Sequence, residues 1–155
     1  MEHRPFTRAD MGWLVSRHAE LYAQEAGFGP DFADAVRAVA DHIIARADPT
    51  EAAWIAWSGG VRQGSLFLTR SGKDARLRLF LLEPEARGQG HGRDLLQLAM
   101  RTARAAGFDA IHVSTYDRHV AACRLYAAAG FDETGQFPTR AHGQNMVERH
   151  FSRPL

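Results

Sequence analysis

The chain has a single cysteine among its 155 residues, Cys123. Alone it closes no internal disulfide and builds no cysteine zinc site. That scarcity fits a reducing compartment, and the expected location is cytoplasmic. Long apolar runs are also missing. Nothing approaches the roughly 20 residues of a membrane span, and MEHRPFTRAD at the N-terminus has no signal-type apolar stretch, so no membrane partner is expected. Nor is there an excess of one charge. Nineteen Lys and Arg face eighteen Asp and Glu, a formal net charge of +1, so composition gives no reason to expect nucleic acid as a partner of this chain by itself. The eight histidines include no H-x-x-x-H pair, and no metal is expected. No repeat, low-complexity tract or linker breaks the chain. What is present is ordinary globular composition, 45% hydrophobic and 24% charged, enough at this length for one domain over residues 1–155 with its own core.

The local patterns alternate between two periods. TRAD at residues 7–10 has the Thr-x-x-Asp form of a capping box. Met11, Leu14, Val15, His18, Leu21, Tyr22 and Glu25 then recur at helical spacing. His18 and Glu25 are polar on that apolar stripe, which predicts edge positions. A second helix carries Phe32, Val36, Val39, Ala40, Ile43 and Ala47, and Asp48-Pro49 stops it. AAWIAW and VRQGSLFLT, split by Ser58-Gly59-Gly60, predict a hairpin, and ARLRLFLL a further strand. There Arg76 and Arg78 alternate with Leu77 and Leu79, so the strand begins with one wet face and becomes buried near Leu81. A helix over residues 90–106, a strand at DAIHVSTY, a short helix at RHVAACRLYAAAG and strands at FDETGQF and MVERHF complete the order β-α-α-β-β-β-α-β-α-β-β. The fold class is α/β with a mixed sheet.

One stretch spends glycine where a helix should start. EARGQGHGRDLL, residues 85–96, has Gly88, Gly90 and Gly92 directly before a leucine-bearing helix, although glycine costs a helix interior about 1 kcal/mol against alanine. A strand, a glycine loop and a helix N-terminus together present unpaired amides and a positive dipole end, which suits phosphate oxygens. The two common nucleotide signatures fail, however. G-x-G-x-x-G breaks at Leu95 or Arg93, and no Gly-Lys-Ser/Thr triplet occurs.

The wider run FLLEPEARGQGHGRDLL resembles the acyl-CoA-binding motif of the GNAT (Gcn5-related N-acetyltransferase) superfamily. Arg87, Gly90 and Gly92 match its core and Gly88 a common extra glycine. RLYAAAGF, residues 124–131, resembles the second signature, Leu-Tyr-x-x-x-Gly-Phe, at the proper separation. The resemblance covers nearly the whole chain. It implies a mostly antiparallel sheet, splayed at its central strands and flanked by helices. Within the superfamily the chain is similar to the acetyltransferase half of bacterial MarR–GNAT fusions, which share a helical region resembling GWLVSRHAELYAQEAGF. No winged-helix segment precedes it here, so a DNA-binding half is expected to be absent.

The resemblance implies acetyl-CoA as co-substrate. Its pyrophosphate would lie on the amides of Gly88, Gln89, Gly90, His91, Gly92 and Arg93 beside Arg87, and its pantetheine would pair along Leu81 and Leu82. A neutral primary amine, on a small molecule or a peptide, would attack the thioester directly in a ternary complex. Tyr126 matches the tyrosine that protonates the departing thiolate. His119 stands where the family often has a pantetheine-contacting asparagine, and a surface histidine at the helix start is an equal reading. Glu83, before Pro84, is the candidate base or a residue of the loop mouth. Glu20, Tyr22 and Glu25 are candidates for the acceptor side. Cys123, in an alanine-rich helix with no adjacent base, reads as a structural thiol. Dimers are frequent in the family, so a homodimer is an open expectation. A non-catalytic acyl-CoA-binding regulatory module is the alternative function.

Overall fold

The computed structural model describes residues 1–155. Its elements are β1 (Glu2–Pro5), α1 (Met11–Ala26), α2 (Asp31–Arg46), β2 (Ala52–Ser58), β3 (Val61–Ser71), β4 (Asp74–Leu82), α3 (His91–Ala105), β5 (Ala110–Tyr116), α4 (Val120–Ala128), β6 (Asp132–Ala141) and β7 (Gln144–Pro154). Short 3₁₀ turns precede α1 and α3. The order is the one expected. The seven strands form one sheet, β1-β2-β3-β4-β5-β7-β6, antiparallel everywhere except between β4 and β5. No helix is long and apolar enough to cross a membrane.

Local chemistry sets the boundaries. The Asp10 carboxylate accepts from the Thr7 N–H at 2.8 Å and from its hydroxyl at 3.2 Å, which fixes the entry to α1. Gly27, at φ +69°, ends that helix in the left-handed region. The closing strands run longer than expected because His142 (φ +48°) and Gly143 (φ +86°) join them tightly. Two successive positive φ values suit a two-residue hairpin. His-Gly is a weaker signal for it than Asn-Gly.

Period-2 alternation in β3 divides the core between the two sheet faces. Leu66 and Leu68 point to α3 and α4, joining Leu77, Leu95, Leu96, Ala99 and Ile111. Phe67 points the other way, into Met11, Leu14, Val36 and Ala40 of α1 and α2.

The feature that shapes the site lies in β4. Ser65 pairs with Leu81 but Phe67 pairs with Arg78, so β4 carries an extra residue opposite Leu66. This is a bulge, with Leu79 at φ +51°. The buried Ser65 hydroxyl donates to the Leu79 carbonyl at 2.7 Å and anchors it. Beside it, β4 and β5 pair only at Ala75–Ile111 and Arg76–His112 and then part. The switch from alternating to apolar residues near Leu81 therefore marks a bulge and a splay. The expected burial near Leu81 is also there, with Leu81 buried, Leu79 packed on the α1–α2 side and Phe80 and Leu82 on the α3–α4 side.

Past the bulge, β3 and β4 approach closely. A Cβ on Gly64 would stand 2.7 Å from both the Leu81 carbonyl oxygen and Leu82 Cδ2, and the former is backbone. Gly64→Ala is expected to cost about 1–3 kcal/mol of stability, read as a lower urea midpoint. An unchanged midpoint would show that this strand end yields freely.

Candidate active site

The parting of β4 from β5 opens a cleft of about 1030 Å³, walled by β4, β5, α1, α4 and the glycine loop. The loop's glycines serve different ends. Gly88 and Gly90 take φ of +73° and +86°, which other residues adopt at a cost. Gly92 is buried, and a Cβ there would come within 3.2 Å of Leu82 Cδ1 and 3.3 Å of Leu125 Cδ2, so it lets α3 close on β4 and α4. The Asp94 N–H donates to the Gly90 carbonyl at 3.1 Å, whereas no N–H of residues 88–93 meets an acceptor in the protein. These unpaired donors sit at the N-terminus of a fifteen-residue helix, beside the cleft.

The loop is braced by side-chain hydrogen bonds that leave those amides unpaired. Arg87 donates to the Leu82 carbonyl at 3.1 Å and to Glu25 at 2.7 Å. Gln89 donates to the Glu85 carbonyl at 2.7 Å. At the end of β4, Glu83 is buried and both its oxygens accept from Arg17, each at 2.6 Å. Arg17 also pairs with Glu20. The hydrogen bonds from Arg17, to Glu83 first, raise its pKa further, so this cation is permanent.

Tyr126, 2% exposed, packs among Phe80, Phe131 and Phe151 at centroid distances of 6.4, 5.8 and 5.6 Å. It lines the cleft and its hydroxyl bonds to no protein group. Burial pushes that hydroxyl well above its ordinary range, so it holds its proton. His119 is no loose surface residue. Its ring meets Tyr22 edge-on at 4.8 Å, Nδ1 lies 3.3 Å from the Thr115 hydroxyl, and Nε2 is buried without a partner. Burial lowers its pKa, which keeps the ring neutral. The Tyr22 hydroxyl is pushed up to about 12, chiefly by burial.

Leu81, Leu82, Arg87, Gly88, Gly90, Gly92, Arg93, His119, Tyr126, Tyr22 and Glu25 all line the cleft, whereas Gln89, His91, Glu20 and Glu83 do not. Cys123 is buried, its thiol is pushed up by burial, and it too stands apart from the lining. Sequence reasoning missed Arg17 and Arg118, the latter donating to the Ala26 carbonyl at 2.9 Å. It also missed Glu148, which lines the cleft opposite Tyr116 in the β5–β7 ladder. No motif marks these residues. Only the wet alternation of Arg76 and Arg78 was visible, without its use.

The model of the acetyltransferase (GNAT) family matches residues 16–131. Among solved structures, the chain is similar over its full length to a ribosomal-protein-alanine N-acetyltransferase from Brucella melitensis, with 18% identity, TM-score 0.83 and all of that chain covered. It is similar to yncA from Salmonella typhimurium, solved with its cofactor acetyl-CoA, with 19% identity, TM-score 0.80, and 100% and 94% of the two chains covered. A GCN5-related N-acetyltransferase from Kribbella flavida aligns at 23% identity and TM-score 0.80 over 99% and 97% of the two chains. At such identities these likenesses establish the shared fold.

One residue of the α1 wall departs from its expected edge position. His18 is 1% exposed, with Nδ1 bonded to the Leu14 carbonyl at 2.8 Å and Nε2 unpartnered. Burial lowers its pKa from 6.5 to about 4. Between those values the unfolded chain binds the proton and the folded one does not, so stability is full above pH 6.5 and declines as pH falls toward 4. The whole loss is roughly 3 kcal/mol. In His18→Phe this part of the pH dependence should vanish, read from urea denaturation at about pH 7.5 and pH 4.5. An equal slope in the variant would assign the acid sensitivity elsewhere.

Proposed function

Because the chain belongs to the acetyltransferase (GNAT) family, we propose that it moves the acetyl group of acetyl-CoA to a primary amine by direct attack in a ternary complex. One observation carries this reading: the unpaired amides of residues 88–93 border a cleft opened by the parting of β4 from β5. Those donors fit a pyrophosphate. The free side of β4 past Arg76 fits the amides and carbonyls of a pantetheine arm, which would extend the sheet by one strand. Acetyl-CoA supplies an activated thioester.

The protein's own residues do the rest. An amide at the end of β4, near Leu81 and Leu82, polarises the acetyl carbonyl as a fixed oxyanion donor. The neutral amine forms the C–N bond and the C–S bond breaks. Tyr126 gives the departing sulfur a hydrogen bond and then its proton, and regains one from the proton that the amine sheds to water. Burial makes this phenol a weaker acid but guarantees its protonated form, so its contribution grows only as thiolate charge develops. Glu83, with both oxygens on Arg17, acts as a positioning residue that locks α1 to the end of β4. His119 contributes a polar edge in place of an amide. Residues 1–155 act as one domain, and the proposed nearness to the MarR–GNAT fusions rests on the helical stretch GWLVSRHAELYAQEAGF, residues 12–28.

Two substitutions test this reading. Gly90→Glu puts a carboxylate into the pyrophosphate space and should abolish CoA binding by calorimetry, while Gly90→Ala controls for the cost of a Cβ at φ +86°. Undiminished affinity in a folded Gly90→Glu would overturn the assignment of the loop. Tyr126→Phe keeps the ring packing and should lower kcat about 10²- to 10⁴-fold with acetyl-CoA binding preserved. Wild-type turnover in that variant would reduce Tyr126 to a core aromatic. CoA binding with no thiol release for any amine would support the regulatory module instead.

A further inference from the structure

The sheet face opposite α3 and α4 is built differently where α1 and α2 leave it open. Arg76 and Arg78 share a face of β4, and both line two hollows at once: the main cleft and a second one of about 410 Å³ against α2. That second hollow is lined by Arg46, Arg70, Arg76, Arg78 and His42 together with apolar and hydroxyl residues, and no carboxylate lines it. The compensation of these cations is uneven. Arg46 pairs with Glu51 and Arg70 with Asp48 at 3.2 Å. Arg76 meets only the neutral Ser114 hydroxyl at 3.2 Å. The nearest acid on its own strand, Asp74, is taken by His112 at 2.8 Å. Arg78 has no hydrogen-bond or ion-pair partner at all, and burial together with repulsion from Arg76 and Arg46 lowers its pKa.

Two adjacent guanidinium groups without a carboxylate repel one another, and with Arg78 exposed they stand open to an anion arriving from outside. Their fork geometry fits a carboxylate or phosphate better than a point charge would. Across the parted strands, Glu148 lines the same cleft with its carboxylate 2.7 Å from His150 Nε2. The face thus offers positive charge on β4 and negative charge on β7, on either side of the gap.

We propose that Arg76 and Arg78 form the anion-recognising half of the acceptor site, so that the preferred acceptor is a small zwitterionic amine carrying an oxyanion group. This rests on the transferase reading above and names its acceptor class. Arg78, near the bulge, holds the oxyanion. Glu148 meets the entering ammonium, which gives up one proton to water, and the neutral amine then turns toward the end of β4. Arg76 keeps the Arg78 guanidinium aimed outward by like-charge repulsion and shares the anion.

The test uses the full chain with acetyl-CoA and matched acceptor sets: an amino acid, its carboxamide, the amine left when the carboxylate is removed, and the corresponding aminoalkyl phosphate. The wild type should favour an anionic member by tenfold or more in kcat/KM, and the carboxylate and phosphate arms tell which oxyanion is read. Arg78→Met should lower kcat/KM for anionic acceptors about 10- to 100-fold more than for neutral ones, with the acetyl-CoA KM held. Arg78→Lys should recover part of the loss. Equal rates for neutral and anionic amines in the wild type, or equal losses for both in Arg78→Met, would overturn the proposal. Failure of every amine would refute the transferase reading itself. Calorimetry with CoA present would still decide the anion claim, since amino-acid binding that Arg78→Met leaves intact overturns it.

Discussion

The parting of β4 from β5 is the constraint on which the rest of the molecule depends. Two strands inside a sheet would ordinarily pair along their length, because unpaired backbone groups are expensive to bury. Here they share two pairs of residues, Ala75–Ile111 and Arg76–His112, and then diverge. The divergence is held by a bulge that places a leucine, Leu79, in left-handed backbone. That conformation costs of order 1–2 kcal/mol for a non-glycine residue. Two features offset it: the Ser65 hydroxyl fixes the Leu79 carbonyl, and the Leu79 side chain packs against the α1–α2 core. β4 consequently stays paired with β3 out to Gly64–Leu82 while its other side is left free. Strain of this kind survives only where the surroundings over-determine it, and it is characteristic of functional sites.

A gap in a sheet needs walls, and these are tied across it by arginines. Arg17 of α1 grips Glu83 at the end of β4, Arg87 of the glycine loop grips Glu25 of α1, and Arg118 before α4 caps the Ala26 carbonyl at the end of α1 while also reaching the Asn145 carbonyl. Exposed ion pairs contribute little to stability on their own. These differ because each joins separate elements around the cleft, and Glu83 is buried. An aromatic group reinforces the same junction, with Tyr22 against Phe28, Phe32 and His119 at 4.6–5.5 Å. The side chains of α1 thus set the width of the cleft.

Much of this was legible in the sequence, for identifiable reasons. Element order followed from hydrophobic period, and the loop from three glycines that no helix start requires. Leu125-Tyr126 and Gly130-Phe131 marked α4, whose tyrosine reaches the cleft. What stayed hidden was pairing at a distance. Arg17 and Glu83 are 66 positions apart, and Arg118 and Ala26 are 92 apart, and no local pattern couples them. The bulge was hidden too, because Arg-Leu-Arg-Leu-Phe-Leu-Leu keeps its alternation up to the very residue at which φ changes sign. His18 misled in a simple way. A polar residue on an apolar stripe is usually at an edge, but a neutral imidazole with one ring nitrogen on the Leu14 carbonyl is apolar enough to sit inside.

The two ends of the cleft use charge in opposite ways. At the glycine loop, Arg87 is already neutralised by Glu25 and turned back onto the Leu82 carbonyl, so, beside the Arg93 side chain on the cleft lining, attraction for an anion falls to backbone amides. Those donors are fixed by the fold and need no side-chain ordering on binding, which lowers the entropic cost of capture. At the sheet face beyond the bulge the anion-seeking groups are long arginine side chains without carboxylate partners. A fixed dipole array suits a partner that is always the same, whereas flexible guanidinium groups can follow acceptors of different length. On the proposed reading, the end that takes a constant co-substrate is therefore built from backbone, and the end that selects is built from side chains. The bulge at Leu79 divides them. It turns β4 from a strand that presents arginines on the open sheet face into one that offers a free backbone edge to the cleft.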